Sequence, residues 1–174
     1  MVLPPRCWRV SSLIERFDNL YELFRKAANS LQSPLLLAVR LYWGWQFLQT
    51  GWGKLTHMSK AVDFFTSLGI PAPALTAHFI AVLETTGGIL LILGLASRLI
   101  ALPLVINMIV AYIAGDREAL TSIFTDPDKF TKADPFPFLF ASLVILAFGP
   151  GWFSLDTLIK RYRSRRQPGV AAAR

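Results

Sequence analysis

Cysteine and charge are the two things that this 174-residue sequence has little of. The single cysteine, Cys7, excludes an internal disulfide framework, a cysteine-ligated iron–sulfur cluster and a CxxC redox pair. Charged residues make up 17% of the chain, whereas a soluble domain carries about 25%. CxxCH motifs and EF-hand spacing are missing too, so the sequence predicts no metal site and no covalently attached haem.

Apolar residues are abundant: they make up 53% of the chain, and aromatic residues alone 13%. This balance is typical of a membrane protein rather than a water-soluble globule. The net charge is +7, but the basic residues cluster towards the chain ends and do not alternate with aromatic residues. The sequence therefore predicts a lipid bilayer as partner and no binding of nucleic acid.

Four segments approach the roughly 20 apolar residues that a membrane-spanning helix needs. The predicted fold class is all-α, an integral membrane four-helix bundle with an N-terminal amphipathic, interfacial helix. The bundle domain is predicted over residues 33–156, with spans at approximately 34–55, 74–95, 98–115 and 135–153. Pro34 is predicted in the first turn of span one, and a tight turn at residues 94–98 makes spans two and three an antiparallel hairpin.

Residues 1–32 form the predicted cytoplasmic extension, too charged to cross the membrane. Its apolar residues recur every three or four positions: Ile14, Phe17, Leu20, Phe24, Ala28 and Leu31. This periodicity predicts an amphipathic helix in the headgroup plane, or alternatively a soluble cap docked on the bundle.

The positive charges predict the orientation of the spans. Twelve basic residues lie on the side of the two termini and five on the opposite side. We therefore expect a multi-pass protein of the inner (plasma) membrane with both termini in the cytoplasm. The basic tail, residues 157–174, is either an orientation signal or a site for anionic lipid.

Polar residues inside the predicted spans require an explanation, because an ionisable group in a bilayer is costly. Arg40, Glu84 and Asn107 fall at similar depths on three spans, which predicts one buried polar cluster with Arg40 paired to Glu84. The cluster either fixes helix register or binds a substrate, a quinone or a proton. Gln46 and Gln49 on span one either hydrogen-bond between helices or, beside tryptophans, flank a flat ligand. The sequence does not identify a catalytic residue.

Small residues accompany these polar groups and predict close helix packing. They lie on spans one and two: Gly44, Gly51, Gly87 and Gly88.

Several motifs together resemble the DoxX family of small four-helix membrane proteins. They are RLYWGWQFLQTGWGKL from Arg40, F-x-x-LGIPAP from Phe65, LETTGGILLILGLASRLIAL from Leu83, and FGPGWFSLD from Phe148. The resemblance covers about residues 33–156 and rests on an ordered set: Arg40, Gly51, Lys54, Gly69, Glu84, Gly87, Gly88, Gly94, Arg98, Gly149, Gly151, Ser154 and Asp156.

The resemblance implies an inner-membrane four-helix bundle. Some relatives are subunits of quinone-linked oxidoreductases, and others belong to thiol or oxidative-stress complexes. We therefore expect an accessory or quinone-interacting subunit of a membrane oxidoreductase, with a soluble or membrane oxidoreductase or a second copy of the chain as partner. No cofactor motif is evident in the sequence. The resemblance allows a quinone as ligand. The alternatives are a small-solute carrier or permease, and a structural scaffold without chemistry of its own.

Overall fold

A computed structural model describes the backbone of residues 7–166, and within it the side chains of residues 17–26 and 28–163. Regular secondary structure within this range is entirely helical, as predicted. The helices are α1 (Cys7–Thr56), α2 (Met58–Ser67), α3 (Pro73–Leu93), α4 (Ser97–Gly115), α5 (Arg117–Thr121), α6 (Pro127–Lys132), α7 (Pro135–Phe148) and α8 (Leu155–Arg166). Parts of two predictions, residues 1–6 of the extension and 167–174 of the tail, lie outside the described residues.

Helices α3 and α4 are long and apolar enough to cross a membrane, with 21 and 19 residues and mean hydropathies of 1.6 and 1.9. They form the predicted antiparallel hairpin. Helix α3 ends because Gly94 adopts a left-handed conformation (φ 67°), and the Leu95 N–H then donates to the Leu90 carbonyl at 3.0 Å. This Schellman motif satisfies carbonyl groups that the helix end would otherwise leave free.

Helix α1 differs from the prediction, because the extension and the first span form one helix of 50 residues, about 75 Å long. Pro34 was expected in a first turn but lies inside this helix. Its missing N–H leaves the carbonyl of Ser30 without its usual helical donor. Both residues are exposed, so water can replace that bond, and the helix continues through the predicted boundary.

Helix α7 also differs from its predicted span, residues 135–153. It ends at Phe148 after 14 residues, a length of about 21 Å against the ~30 Å of a hydrocarbon core. Gly149 has a φ of 80° and Pro150 follows it, which stops the helix. Residues 149–153 are therefore irregular backbone.

The core lies where α1, α3, α4 and α7 meet. Helix α1 packs mainly on α3 and helix α4 on α7, and contacts between α3 and α4 and between α1 and α7 join the two pairs. The buried side chains of the main cluster are Phe47, Leu91, Ala101, Leu104, Met108 and Ile145. Phe65 of α2 is buried as well.

The two ends of the molecule are named as follows. The end that carries α2, α5 and α6 is called the loop end, and the opposite end, formed by residues 94–98 and 149–156, is called the tail end.

An ion pair joins the short helices of the loop end. Lys129 of α6 donates to the Glu118 carboxylate of α5 at 2.8 Å. This hydrogen bond holds the pKa of Glu118 below its usual value and raises the pKa of Lys129. Both side chains are exposed, so the pair orients the loop and contributes little to stability.

The predicted packing glycines lie where helices approach closely. A Cβ added to Gly88 of α3 would lie 2.5 Å from the Gly44 carbonyl oxygen of α1, and one on Gly51 2.5 Å from the Thr85 backbone nitrogen. Gly87 faces α4 instead, where the Leu104 side chain would lie 3.1 Å from such an atom. The α1–α3 contact is therefore backbone against backbone.

We expect Gly88→Ala to separate α1 from α3, because the methyl group meets rigid backbone. The cost of such overpacking is about 1–3 kcal/mol of unfolding free energy. The measurement is thermal unfolding in detergent. Gly53→Ala is the matched control, since a Cβ at Gly53 would meet nothing within 4 Å. Equal unfolding temperatures for the two variants would show that the close contact does not exist.

Candidate functional site

A cavity of about 310 Å³ lies between the helices and extends from the middle of α3 to the loop end. Its volume is in the range of small-molecule sites, about 300–1,000 Å³. The walls are mostly apolar and come from α1, α2, the segment after α2, α3, α4 and α7. The apolar lining side chains include Phe47, Phe64, Phe65, Leu68, Ile70, Ile80, Met108, Val110, Ala111 and Phe138.

The inner end of the cavity is polar. Asn107 donates from Nδ2 to one oxygen of the Glu84 carboxylate at 3.1 Å, and the Lys54 ammonium donates to the other. Only 4% of the Glu84 side chain is exposed, against 28% of Lys54. Because both carboxylate oxygens are engaged, the buried charge is compensated, and Glu84 fixes the positions of two hydrogen-bond donors in an apolar chamber.

Close helix packing explains how Lys54 reaches this position. Gly51 lets α1 approach α3 at Thr85, and Lys54 lies one turn further along the same face of α1. Lysine has a long apolar stem, so its ammonium can extend inward to Glu84 while the stem lies along the cavity wall.

Arg40 does not join Glu84, which corrects the prediction of a single Arg40–Glu84 cluster. Its Nε donates to the Leu91 carbonyl at 3.1 Å, two turns along α3 from Glu84. The remaining guanidinium nitrogens donate to the carbonyls of Pro150 and, at 2.9 Å, Phe153. The side chain is fully buried at the tail end.

Further hydrogen bonds hold the tail end together around Arg40. The Asp156 carboxylate accepts from the backbone N–H groups of Ala96 at 2.9 Å and Ser97 at 3.3 Å, where α4 begins. The Trp152 N–H donates to the Ser33 hydroxyl of α1 at 3.2 Å. This end is a structural junction and lies apart from the cavity.

The two glutamines also lie away from the cavity. Gln46 donates to the Tyr42 hydroxyl on its own helix at 3.4 Å, and Gln49 is exposed on the surface of α1. Of the predicted cluster, the structure therefore brings together Glu84 and Asn107. Lys54 replaces Arg40 as the cation.

Metal binding has no support within the part of the chain that the structure describes, where no group of three or more metal-ligating side chains occurs.

This arrangement defines a class: a helical membrane protein with a ligand-sized, mostly apolar cavity that has a charged inner end. The DoxX family profile matches residues 35–117. An uncharacterized membrane protein of Mycobacterium tuberculosis is 29% identical over 140 residues, which cover 74% of this chain and 83% of that protein. A Bacillus subtilis protein named "Putative oxidoreductase CatD" is 31% identical over 117 residues, 59% of this chain and 86% of that protein. No solved structure matches the chain.

The chain belongs to the DoxX family of membrane proteins, as its motifs indicated. The matched region contains Lys54, Glu84 and Asn107, and thus the three polar groups at the inner end of the cavity.

Proposed function

We propose that this membrane protein is a quinone-binding, accessory subunit of a membrane oxidoreductase system. One observation carries the proposal: the cavity combines apolar, aromatic walls with two hydrogen-bond donors fixed at its inner end. A quinone headgroup is a flat apolar ring with carbonyl acceptors and no donor. Lys54 and Asn107 supply donors for a carbonyl, and Phe47, Phe65 and Phe138 supply surfaces for the ring.

The role of Glu84 in this proposal is to position the donors. Its carboxylate holds the Lys54 ammonium inside the cavity and orients the Asn107 amide. The name of the Bacillus subtilis relative also favours an oxidoreductase system. Electron transfer is assigned to a partner protein, since the chain has no intramembrane cysteine or metal motif in its sequence.

The test is isothermal titration calorimetry, in which the purified protein in neutral nanodiscs is titrated with a short-tailed quinone and the binding affinity is measured. Ala111→Phe puts a ring into the cavity and should weaken binding about tenfold or more, because the ring occupies space that the ligand needs; a tenfold loss is about 1.4 kcal/mol of binding free energy. Ile113→Phe is the control, since Ile113 is exposed on the same helix and does not line the cavity. Equal affinities for the two variants, or no binding to the wild type, would contradict quinone binding in the cavity and favour the structural scaffold instead.

We further propose an inner-membrane location with both termini cytoplasmic and four crossings, by α1, α3, α4 and α7. The excess of basic residues on the side of the termini supports this orientation. The short α7 fits because irregular backbone is tolerated at membrane depth where protein groups satisfy it. Arg40 does this for Pro150 and Phe153.

Cysteines placed at Ser59 and Ser164 in a Cys7→Ser background test the orientation. We expect a membrane-impermeant thiol reagent to label them from opposite sides of inverted and right-side-out vesicles. Labelling of both from the same side would exclude the four-crossing arrangement.

A further inference from the structure

We infer that α8 is a docking surface for anionic lipid headgroups, a function separate from the cavity. The first observation is its apolar face. Leu155, Leu158, Ile159 and Tyr162 recur at helical spacing and lie within about 100° of the helix circumference. They are exposed side chains, with 63% of Leu158 and 57% of Tyr162 accessible.

The second observation is the placement of charge around this face. Helix α8 carries five basic residues and one acidic residue. By helical position, Arg161 lies beside one edge of the apolar face and Arg163 beside the other, and both are exposed. The acidic residue, Asp156, is engaged with the Ala96 and Ser97 N–H groups, so its carboxylate is turned towards the start of α4.

The third observation is the position of α8 in the molecule. Six residues separate it from the end of α7. The Asp156 carboxylate accepts from the Ala96 N–H and so holds the first turn of α8 at the tail end, while the Ser154 hydroxyl accepts from the Thr157 N–H within that turn. Trp152 and Phe153, just before it, are 73% and 62% exposed, and tryptophan is enriched at membrane–water interfaces. The Arg161 guanidinium lies over the Trp152 ring at 5.2 Å, so this charge is held at the same level as the aromatic residues.

Together these features fit one occupant. An apolar strip flanked by arginines matches acyl chains beneath phosphate groups, because the arginine stems extend along the apolar boundary while the guanidinium groups reach the headgroups. Each basic residue near an anionic surface contributes about fivefold to binding. A neutral lipid surface would not provide this contribution to binding, so the charge pattern favours an anionic leaflet.

The experiment uses the full-length protein in vesicles of phosphatidylcholine alone or mixed with phosphatidylglycerol. A spin label on Leu158→Cys, in a Cys7→Ser background, reports the apolar face, and one on Lys160→Cys reports the opposite face. In the anionic vesicles we expect the Leu158 label to be protected from a water-soluble nickel relaxant and accessible to oxygen, while the Lys160 label stays accessible to nickel. In neutral vesicles the protection should be weaker.

Charge variants separate lipid recognition from simple apolar burial. Arg161→Gln together with Arg163→Gln should lower the equilibrium constant for lipid contact about 25-fold, while Arg161→Lys with Arg163→Lys should retain it. Thermal unfolding checks that the variants are folded. Equal nickel accessibility of the Leu158 label in both lipids, or wild-type protection in the glutamine variant, would overturn the inference. Spin–spin broadening that is independent of lipid charge would do so too, because it would indicate a second protein copy on this face.

Discussion

Replacing Arg40 with methionine is expected to destabilise the protein by about 3–5 kcal/mol, the largest effect of any single substitution considered. The substitution keeps the apolar stem but removes the three hydrogen bonds that Arg40 donates to the carbonyls of Leu91, Pro150 and Phe153. A buried carbonyl left without a partner costs about 1–3 kcal/mol, and two would be affected, because the Leu91 carbonyl still accepts from the Gly94 N–H at 3.1 Å. For a chain of this length the unfolding temperature in detergent should fall by roughly 10 °C.

Two comparisons make the Arg40 result specific. Arg40→Lys should recover only part of the loss, because an ammonium cannot reproduce the three directions of a guanidinium. Arg98→Met removes a positive charge from the same end, but Arg98 is exposed and donates to one carbonyl, that of Ala147 at 3.1 Å. We expect a loss below about 1 kcal/mol there. If Arg98→Met and Arg40→Met were equally stable, Arg40 would not hold the tail end.

The second large effect concerns the pair of Lys54 and Glu84, whose two members should respond unequally. Lys54→Met leaves the buried Glu84 carboxylate without its cation, which costs about 3 kcal/mol. Glu84→Gln should cost less, about 1 kcal/mol, because Lys54 is partly exposed and can turn towards water while the new amide still accepts from Asn107.

A double-mutant cycle measures this coupling directly. The variant with both Lys54→Met and Glu84→Gln should recover most of the stability lost in Lys54→Met. Quinone binding should stay impaired in it, since the donor is gone. Lys132→Met is the control, because its partner Asp128 is an exposed residue of the same helix. Additive losses in the double variant would show that Lys54 and Glu84 do not interact.

The sequence predicted the α3–α4 hairpin closely, because apolar runs there end at unambiguous signals. Gly94 permits the left-handed turn that closes α3, and the intervening chain is too short for any connection but an antiparallel one. The helix start predicted at Pro34 was wrong: the residue whose carbonyl the proline leaves without a helical donor, Ser30, is exposed, so water can take the place of that donor. On the exposed surface of α1 the helix continues through Pro34.

Depth along a span could be predicted for the polar residues, but their partners could not. Arg40 and Glu84 were paired by depth, although two of the three acceptors of Arg40 are the carbonyls of Pro150 and Phe153, in a segment that was predicted to be helical. Lys54 was one of the five basic residues counted on the side opposite the termini. The sequence signal for a contact with Glu84 was the place of Lys54 on the same helical face as Gly51. The contact forms because the lysine side chain is long enough to carry its ammonium inward to Glu84.

Photolabelling with an azido-quinone tests the central claim, that the cavity holds a quinone, most directly. The protein is illuminated in nanodiscs and its modified peptides are identified by mass spectrometry. We expect labels on the cavity-lining stretches of α1, α2 and α4, competition by unlabelled quinone, and loss of labelling in Ala111→Phe but not in Ile113→Phe. Labels confined to lipid-facing residues such as Ile109, or labelling unchanged by competitor and by Ala111→Phe, would contradict the account.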